Sequence, residues 1–281
     1  MWVNVLRYPH MRIVSISDTH NRHKQLPPLP AGNVLVHAGD FSTAGKVTEL
    51  RSFLEWFSSH PHDQKILICG NHDKGATQRN GKANLRDWSA QPGHHYLDCT
   101  SVTLVKLTDG RTVEDDLVRP ADIEQGPGFA IKFWGSPHCR WINAKWAFPH
   151  VDDDQENIIA ALPTPREVLK PFEKMPDVAD VVVTHGPRYG VLDYLPGATD
   201  GPRKGPHIGS SGLSDAIRTT RPVLHIHGHI HEQSGTFDDG GGTLTVNAAI
   251  CDGGYNATNP PRVVDLSDTP ETGLIATVVR V

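Results

Sequence analysis

Five short runs of branched apolar residues in this 281-residue chain each stop at a cluster of small, polar, metal-capable side chains. RIVSIS (12–17) leads into DTHN, NVLVHA (33–38) into GD, KILIC (65–69) into GNHD, VVVT (181–184) into HG, and VLHIH (223–227) into GHIH. Runs of this length are compatible with strands buried on both faces of a parallel sheet. Ligands in such sheets gather beyond the carboxyl ends of the strands, so five endings of this kind can converge on one crevice. Between the second and third runs, KVTELRSFLEWFSSH (46–60) sets Val47, Leu50, Phe53, Leu54 and Phe57 at helical spacing, which makes a βαβ unit. The pattern predicts an α/β chain whose chemistry sits at one edge of its sheets.

The rest of the chain supplies the remaining layers. SVTLVKL (101–107) and AIKFW (130–134) predict a pair of strands, and the acidic, glycine-containing stretch between them, about 108–129, reads as an inserted loop or flap. DQENIIAALPTPREVLKPF predicts helix broken at its prolines, DVADVVVTHG (177–186) a buried strand, and SGLSDAIRTTR (211–221) a helix. TLTVNAAI (243–250) and PRVVDL (261–266) close the chain as strands. With 37% hydrophobic residues, the chain has enough core for a single enzyme-sized domain over 1–281. Its net charge of -5, without any concentration of Lys and Arg, argues against a polymeric nucleic acid as partner. No apolar run approaches membrane-spanning length, so no membrane partner is expected. Four cysteines (Cys69, Cys99, Cys139, Cys251) lie far apart with no CxxC pair, and MWVNVLRYPHMR has no signal-like apolar core. Both features predict a reduced, cytoplasmic protein.

Taken singly, each motif has an ordinary structural reading. Asp18 can be a turn or cap residue, Gly39-Asp40 and Gly70-Asn71-His72-Asp73 turns, and His185-Gly186-Pro187 a rigid strand exit. VLHIHGHIH raises a sharper question, because His225, His227, His229 and His231 recur at every second position. In one strand all four would share a face over a stretch too long for a single ion to collect. Gly228 resolves this by ending the strand, which frees His229 and His231 and leaves His225 and His227 as packed or supporting groups. His37, just before Gly39-Asp40, is placed to hydrogen-bond a ligand carboxylate. The joint occurrence of these motifs, each after a strand, points to a metal centre.

The ordered set DTH, GD, GNHD, THG and GHIH resembles the calcineurin-like metallophosphoesterase superfamily, whose pattern runs DxH, GD, GNH, H, GHxH. VSISDTHN, VLVHAGDFS, ILICGNHD, FWGSPH, VVVTHGP, HIHGHIHE and VNAAICDGGYNATNPPRVVDL are similar to a narrower group, the metallophosphoesterase-domain-containing (MPPED) proteins, over about residues 12 to 266. Departures from that group are the 108–129 segment, Arg188 after THGP, and His227 where an aromatic is expected. The resemblance implies an α/β fold, a four-layer αββα sandwich of two mixed sheets flanked by helices.

It also implies roles. One ion would be held by Asp18, His20, Asp40 and His231, a second by Asp40, Asn71, His185 and His229. Two cations about 3.5–4 Å apart repel, and the shared Asp40 carboxylate offsets that repulsion. Imidazole, carboxylate and amide ligands suit two divalent transition-metal ions, Mn, Fe or Zn (or Co or Ni), better than Mg or Ca. A metal-bridging hydroxide would attack the phosphate in line, while His72 protonates or stabilises the departing oxygen. Asp73 either orients an imidazole or shapes a turn. Arg188 matches a phosphate oxygen in geometry, with a solvated surface arginine as the competing reading, and His138 in FWGSPHCRW is a candidate substrate contact.

Three functions are compatible with this site. The first is a phosphodiesterase for small diesters, cyclic nucleotides among them. The second is a monoesterase, as the protein phosphatases of the superfamily are. The third is a non-catalytic scaffold, which ranks last because no ligand position is lost and His72 is present. Similarity to the MPPED proteins favours the diesterase.

Overall fold

Side-chain alternation along the strands decides the layers. In β1 (His10–Ile16) Met11 and Ile13 face one way and Val14 the other; in β2 (Val34–Ala38) Val34, Val36 and Ala38 oppose Leu35. The same division recurs in β3 (Gln64–Ile68), where Ile66 and Ile68 oppose Leu67. The computed structural model describes residues 10–117, 128–140, 146–152, 170–196, 207–270 and 272–280.

The first sheet runs β15 (Gly273–Val279), β14 (Arg262–Thr269), β1, β2, β3, β4 (His94–Tyr96). β1 to β4 are mutually parallel, and β14 and β15 join antiparallel. The second sheet runs β12 (Gly235–Asp238), β13 (Leu244–Asn247), β11 (Leu224–His227), β10 (Val181–Thr184), β7 (Phe129–Ser136), β5 (Thr100–Lys106), β6 (Thr112–Glu114). Its four middle strands, β13 to β7, are parallel and its outer ones antiparallel. A short pair, β8 (Cys139–Arg140) and β9 (Pro149–His150), stands apart. Both sheets are mixed.

Three apolar layers follow. Ile13, Val36, Ile68, Phe133, Val183 and Ile226 meet between the sheets. Outside the first sheet, α1 (Val47–Ser58) lays Leu50, Phe53, Leu54 and Phe57 on Val14, Leu35 and Leu67, joined by Leu85 and Trp88 of α3 (Arg79–Ser89), which follows the short α2 (Lys74–Thr77). Outside the second sheet, Leu213 and Ile217 of α4 (Ser211–Thr220) cover Trp134 and Val182. Each fully buried Leu, Ile or Phe here contributes about 1.5–3 kcal/mol of transfer free energy. Helix, sheet, sheet, helix is the four-layer arrangement that the resemblance implies.

The structure departs from the sequence reading in places. The 108–129 segment is not all loop: β6 pairs with β5, and β7 already begins at Phe129, while 118–127 lie outside the described residues. Of the helix expected in DQENIIAALPTPREVLKPF, 153–169 also lie outside, and a 3-10 turn, Pro171–Lys174, follows. The helix α3 escapes the periodicity reading because it buries only Gly81, Leu85 and Trp88 within a polar sequence. The outer strands β12 and β15 escape it because their side chains are mostly exposed. Among the described residues no helix is long and apolar enough to cross a membrane.

Candidate metal centre

The carboxyl ends of β1, β2, β3, β10 and β11 converge. A parallel bridge between Ser17 and Ala249, with the Ile250 amide donating to the Ser17 carbonyl at 2.9 Å, ties the sheets together at this edge. Beyond it the chain bends sharply. Asp18 (φ 52°), His20 (φ 40°), Asp40 (φ 56°) and His229 (φ 71°) all adopt the left-handed region that non-glycine residues avoid. Strain of this kind persists where the surroundings over-determine it, and it clusters at functional sites.

Seven side chains meet there in two groups. Asp18, His20 and His231 form one; Asp40, His185 and His229 form the other, with the Asn71 amide oxygen 2.9 Å from His185 Nε2. Each group is built from acceptors. His20 Nδ1 lies 3.1 Å from the Ser42 carbonyl and His231 Nδ1 3.0 Å from the Asp252 carbonyl, so each ring donates from Nδ1. The neutral rings then present Nε2 lone pairs to one another at 3.2 Å, which is repulsive unless a positive charge lies between them. His185 likewise donates from Nδ1 to the Ala38 carbonyl and turns Nε2 toward the Asn71 oxygen and, at 3.2 Å, Asp40 Oδ2. Asp18 Oδ1 is buried without a hydrogen-bond partner, 3.4 Å from His231 Nε2. These residues fit a pair of cations.

The electrostatics agree. Burial opposes charge on Asp18 and Asp40, yet the nearby rings of His231 and His185 hold both carboxylates well below their usual range. Burial also opposes charge on His185, but Asp40 overrides it and raises that ring to about 9; His231 is raised too, against burial, by the Asp18 carboxylate beside it. Asp18 and Asp40 thus draw positive charge toward His231 and His185, a demand that a cation at Nε2 would meet in place of a proton. His229, pushed down to about 3 by burial, and His20, lowered by burial, keep free lone pairs.

Backbone contacts fix the geometry. The His229 amide donates to Asp18 Oδ2 at 2.9 Å, and the His72 amide donates to Asp40 Oδ1 at 2.7 Å. A Cβ on Gly70 would collide with the Asp40 carboxylate and with His185, so only glycine lets these loops meet. Asp73 resolves in favour of the turn role. Its Oδ2 accepts from the amides of Asp40 (2.9 Å) and Gly70 (2.8 Å), and its Oδ1 from the amide (3.0 Å) and hydroxyl (2.7 Å) of Ser42. Burial and the charge of Asp40 push its pKa up to about 8, against the hydrogen bonds from Ser42 and Gly70, which favour the carboxylate. Asp73→Ala orphans those donors at about 1–3 kcal/mol each for any left buried. Thermal denaturation will show a loss of several degrees or more; an unchanged Tm would remove Asp73 from this role.

The other expected positions divide. His72 lines the cavity over both groups, half-buried, its ring edge-on to His20 at 4.9 Å and its Nδ1 3.2 Å from the Thr43 carbonyl. His225 and His227 lie buried in β11, stacked at 5.3 Å, with His225 Nε2 on Thr184 Oγ1 (2.9 Å). His37 bonds no carboxylate: its ring bridges Thr19 Oγ1 and the Gly39 amide, because Asp40 points away from it into the crevice. The structure sets Arg188 on Asp239 Oδ2 (2.8 Å) and near Thr245, and sets His138 against Ser136 (3.1 Å) and Cys99 (3.7 Å).

Two aromatic walls are absent from the sequence reading. Trp146 meets His229 edge-on at 5.2 Å, and Tyr255 meets His20 at 4.8 Å and His231 at 4.9 Å. Both line a cavity of ≈ 270 Å³ above the two groups, with Leu195, Ile208 and Ile230. Asp252 sets Tyr255 in place: its carbonyl accepts from the Tyr255 amide (2.8 Å) as well as from His231 Nδ1. A larger hollow, ≈ 340 Å³ against α4 and Phe172, holds no member of either group.

The family description "Calcineurin-like phosphoesterase" matches residues 11–233, which span all seven side chains. The chain belongs to this family. It is 33% identical over 262 residues to Metallophosphoesterase domain-containing protein 1 of Homo sapiens and of Mus musculus, covering 92% of this chain and 71% of each relative. It is 28% identical to UPF0046 protein K07C11.7 of Caenorhabditis elegans, over 91% of this chain and 75% of that protein. The crystal structure of the Thermus thermophilus protein TT1561 is similar in fold, with a TM-score of 0.50 at 12% identity over 96% of this chain and 99% of that one. As a calcineurin-like phosphoesterase the chain is a metal-dependent hydrolase by family, and its two residue groups are of the kind that holds divalent ions.

Proposed function

We propose that this chain hydrolyses small phosphodiesters, cyclic nucleotides among them, at a centre of two divalent transition-metal ions. Asp18, His20, Asp40 and His231 would hold one ion, and Asp40, Asn71, His185 and His229 the other. The observation that carries this reading is the convergence of Nε2, carboxylate and amide oxygen acceptors into two groups at one edge of the sheets. Such donors suit Mn, Fe or Zn. Bound ions would polarise the phosphoryl group and make a water acidic enough to attack it near neutral pH.

The protein's own residues do the rest. Asp40, whose charge reaches His20 and His231 as well as His185, is placed to be shared, and the His72 amide holds it. His72 donates Nδ1–H to Thr43, which fixes the ring with Nε2 as its other nitrogen; as an imidazolium the ring would give its Nε2 proton to the departing oxygen. Trp146 and Tyr255 offer flat apolar faces to the organic part of an ester, and the modest cavity supports a small diester over a phosphoprotein. Four unbonded cysteines support placing the enzyme in the cytoplasm.

The test compares an aryl phosphodiester with the aryl monoester after chelator treatment and reloading with Mn or Zn. Turnover of the diester in preference is expected. A large monoester preference would overturn the diester reading, and no turnover with any metal would overturn the hydrolase. In the same assay His72→Ala should keep its metal content yet lose about 10²–10⁴-fold in kcat for a poor leaving group, with much less loss for a nitrophenolate. An emptied metal site in that variant would make His72 a ligand instead.

A further inference from the structure

We propose that Asp98, Cys99 and His138 form a third cation site, separate from the two groups above and suited to zinc. The antiparallel register of β5 on β7, with Thr100 opposite Gly135, brings the turn before β5 alongside the end of β7. Cys99 Sγ lies 3.7 Å from His138 Nδ1 and 3.5 Å from Ser136 Oγ, and Ser136 Oγ lies 3.1 Å from His138 Nδ1. An Asp98 carboxylate oxygen completes the set, within 4.8 Å of both the thiol and the imidazole.

These spacings, which serve hydrogen bonds among the three side chains, are also those that ligands of one ion take. Around a tetrahedral zinc with Zn–S near 2.3 Å and Zn–N near 2.0–2.1 Å, neighbouring ligand atoms stand about 3.4–3.6 Å apart. The thiol, imidazole and hydroxyl already lie near that spacing, so an ion needs little rearrangement. The chemistry suits a thiophilic cation: Cys99 supplies a soft thiolate, His138 a nitrogen and Asp98 a charge, with Ser136 Oγ or a water in the fourth place. His138 is nearly buried and burial lowers it to about 4, so the ring is neutral at neutral pH and Nδ1 can offer a lone pair to an ion in place of its contacts with Ser136 and Cys99. Burial raises both Asp98 and Cys99, and no hydrogen-bond donor among the described residues reaches the Asp98 carboxylate. A divalent cation would satisfy both as anions. Ser136 also links this site to the first centre, since its carbonyl accepts the amide of His185 at 3.3 Å.

Cobalt(II) titration of the chelator-stripped full chain tests this directly. Neither of the other two groups contains sulfur, so a near-ultraviolet thiolate-to-cobalt charge-transfer band reports the third site alone. Cys69, Cys139 and Cys251 are buried and belong to no ligand group among the described residues. The band is expected to saturate in wild type, to vanish in Cys99→Ser, and to need more than about tenfold more cobalt in Asp98→Asn and His138→Gln. It should persist in Asp40→Asn, which damages only the first centre. Should Cys99→Ser fail to fold, protection of Cys99 from alkylation by zinc in the wild-type protein gives the same answer. No band at saturating cobalt, a band that survives Cys99→Ser, or alkylation unaffected by zinc overturns the third site while leaving ester hydrolysis untouched.

Discussion

Asp40→Asn will empty both metal positions and reduce turnover on the order of 10³-fold. Asn keeps the shape of the side chain but removes the one negative charge placed to be shared between the groups. Losing a cation's transition-state stabilisation costs several kcal/mol, and each 1.36 kcal/mol is about tenfold in rate. The Asp40 carboxylate also repels Asp73, which accepts a hydrogen bond from the Asp40 amide. Relief of that repulsion is opposed by the loss of the buried pairing with His185, which Asp40 raises to about 9, so the chelated variant should be less stable than chelated wild type near neutral pH. Elemental analysis, turnover and thermal denaturation together check this. A variant that keeps two ions and near-normal kcat would show that Asp40 is not shared.

Gly228→Ala should be nearly as damaging, although the residue carries no chemistry. Its Cα backs onto the strand exit of β1 so closely that an added Cβ would collide with the Asp18 carboxylate and the Ser17 hydroxyl. Both obstacles are fully buried, so the loop itself must give way. The bond from the His229 amide to Asp18 would break, and His229 and His231 would leave their groups together. Overpacking of this kind costs about 1–3 kcal/mol. We expect a lower Tm even with chelator present and little turnover at any metal concentration. Full activity in Gly228→Ala would mean that the turn there is far more yielding than its contacts indicate.

The strand ends were legible because a buried parallel strand is a continuous branched run, and its end is marked by a change of residue type. Asp18, Asp40, Asn71, His185 and His229 could therefore be placed at one edge from the sequence. Their distances could not, since four of the seven ligand candidates sit at positive φ, and no local pattern reveals which way such a residue points. Trp146 reaches the cavity through the Ala147 amide on the Asn71 carbonyl, a contact far apart in sequence, and Tyr255 through a local turn on Asp252 that is tied to the site by His231 Nδ1. A guanidinium in the right motif suggested a phosphate clamp at Arg188, but Asp239, from the β12–β13 turn, takes it in this structure. His225 and His227 show the reverse case: strand parity would have grouped them with His229 and His231, and the glycine alone separated them, since β11 ends at His227, just before Gly228.

The central claim is that two points defined by these side chains each hold a cation. Anomalous diffraction from crystals of the full chain grown with manganese, a metal that favours oxygen and nitrogen over thiolate ligands, tests it most directly. Two peaks are predicted, one among Asp18, His20 and His231 and one among Asn71, His185 and His229, with Asp40 between them. No peak at either group, or a single peak held without Asp40, would contradict the account.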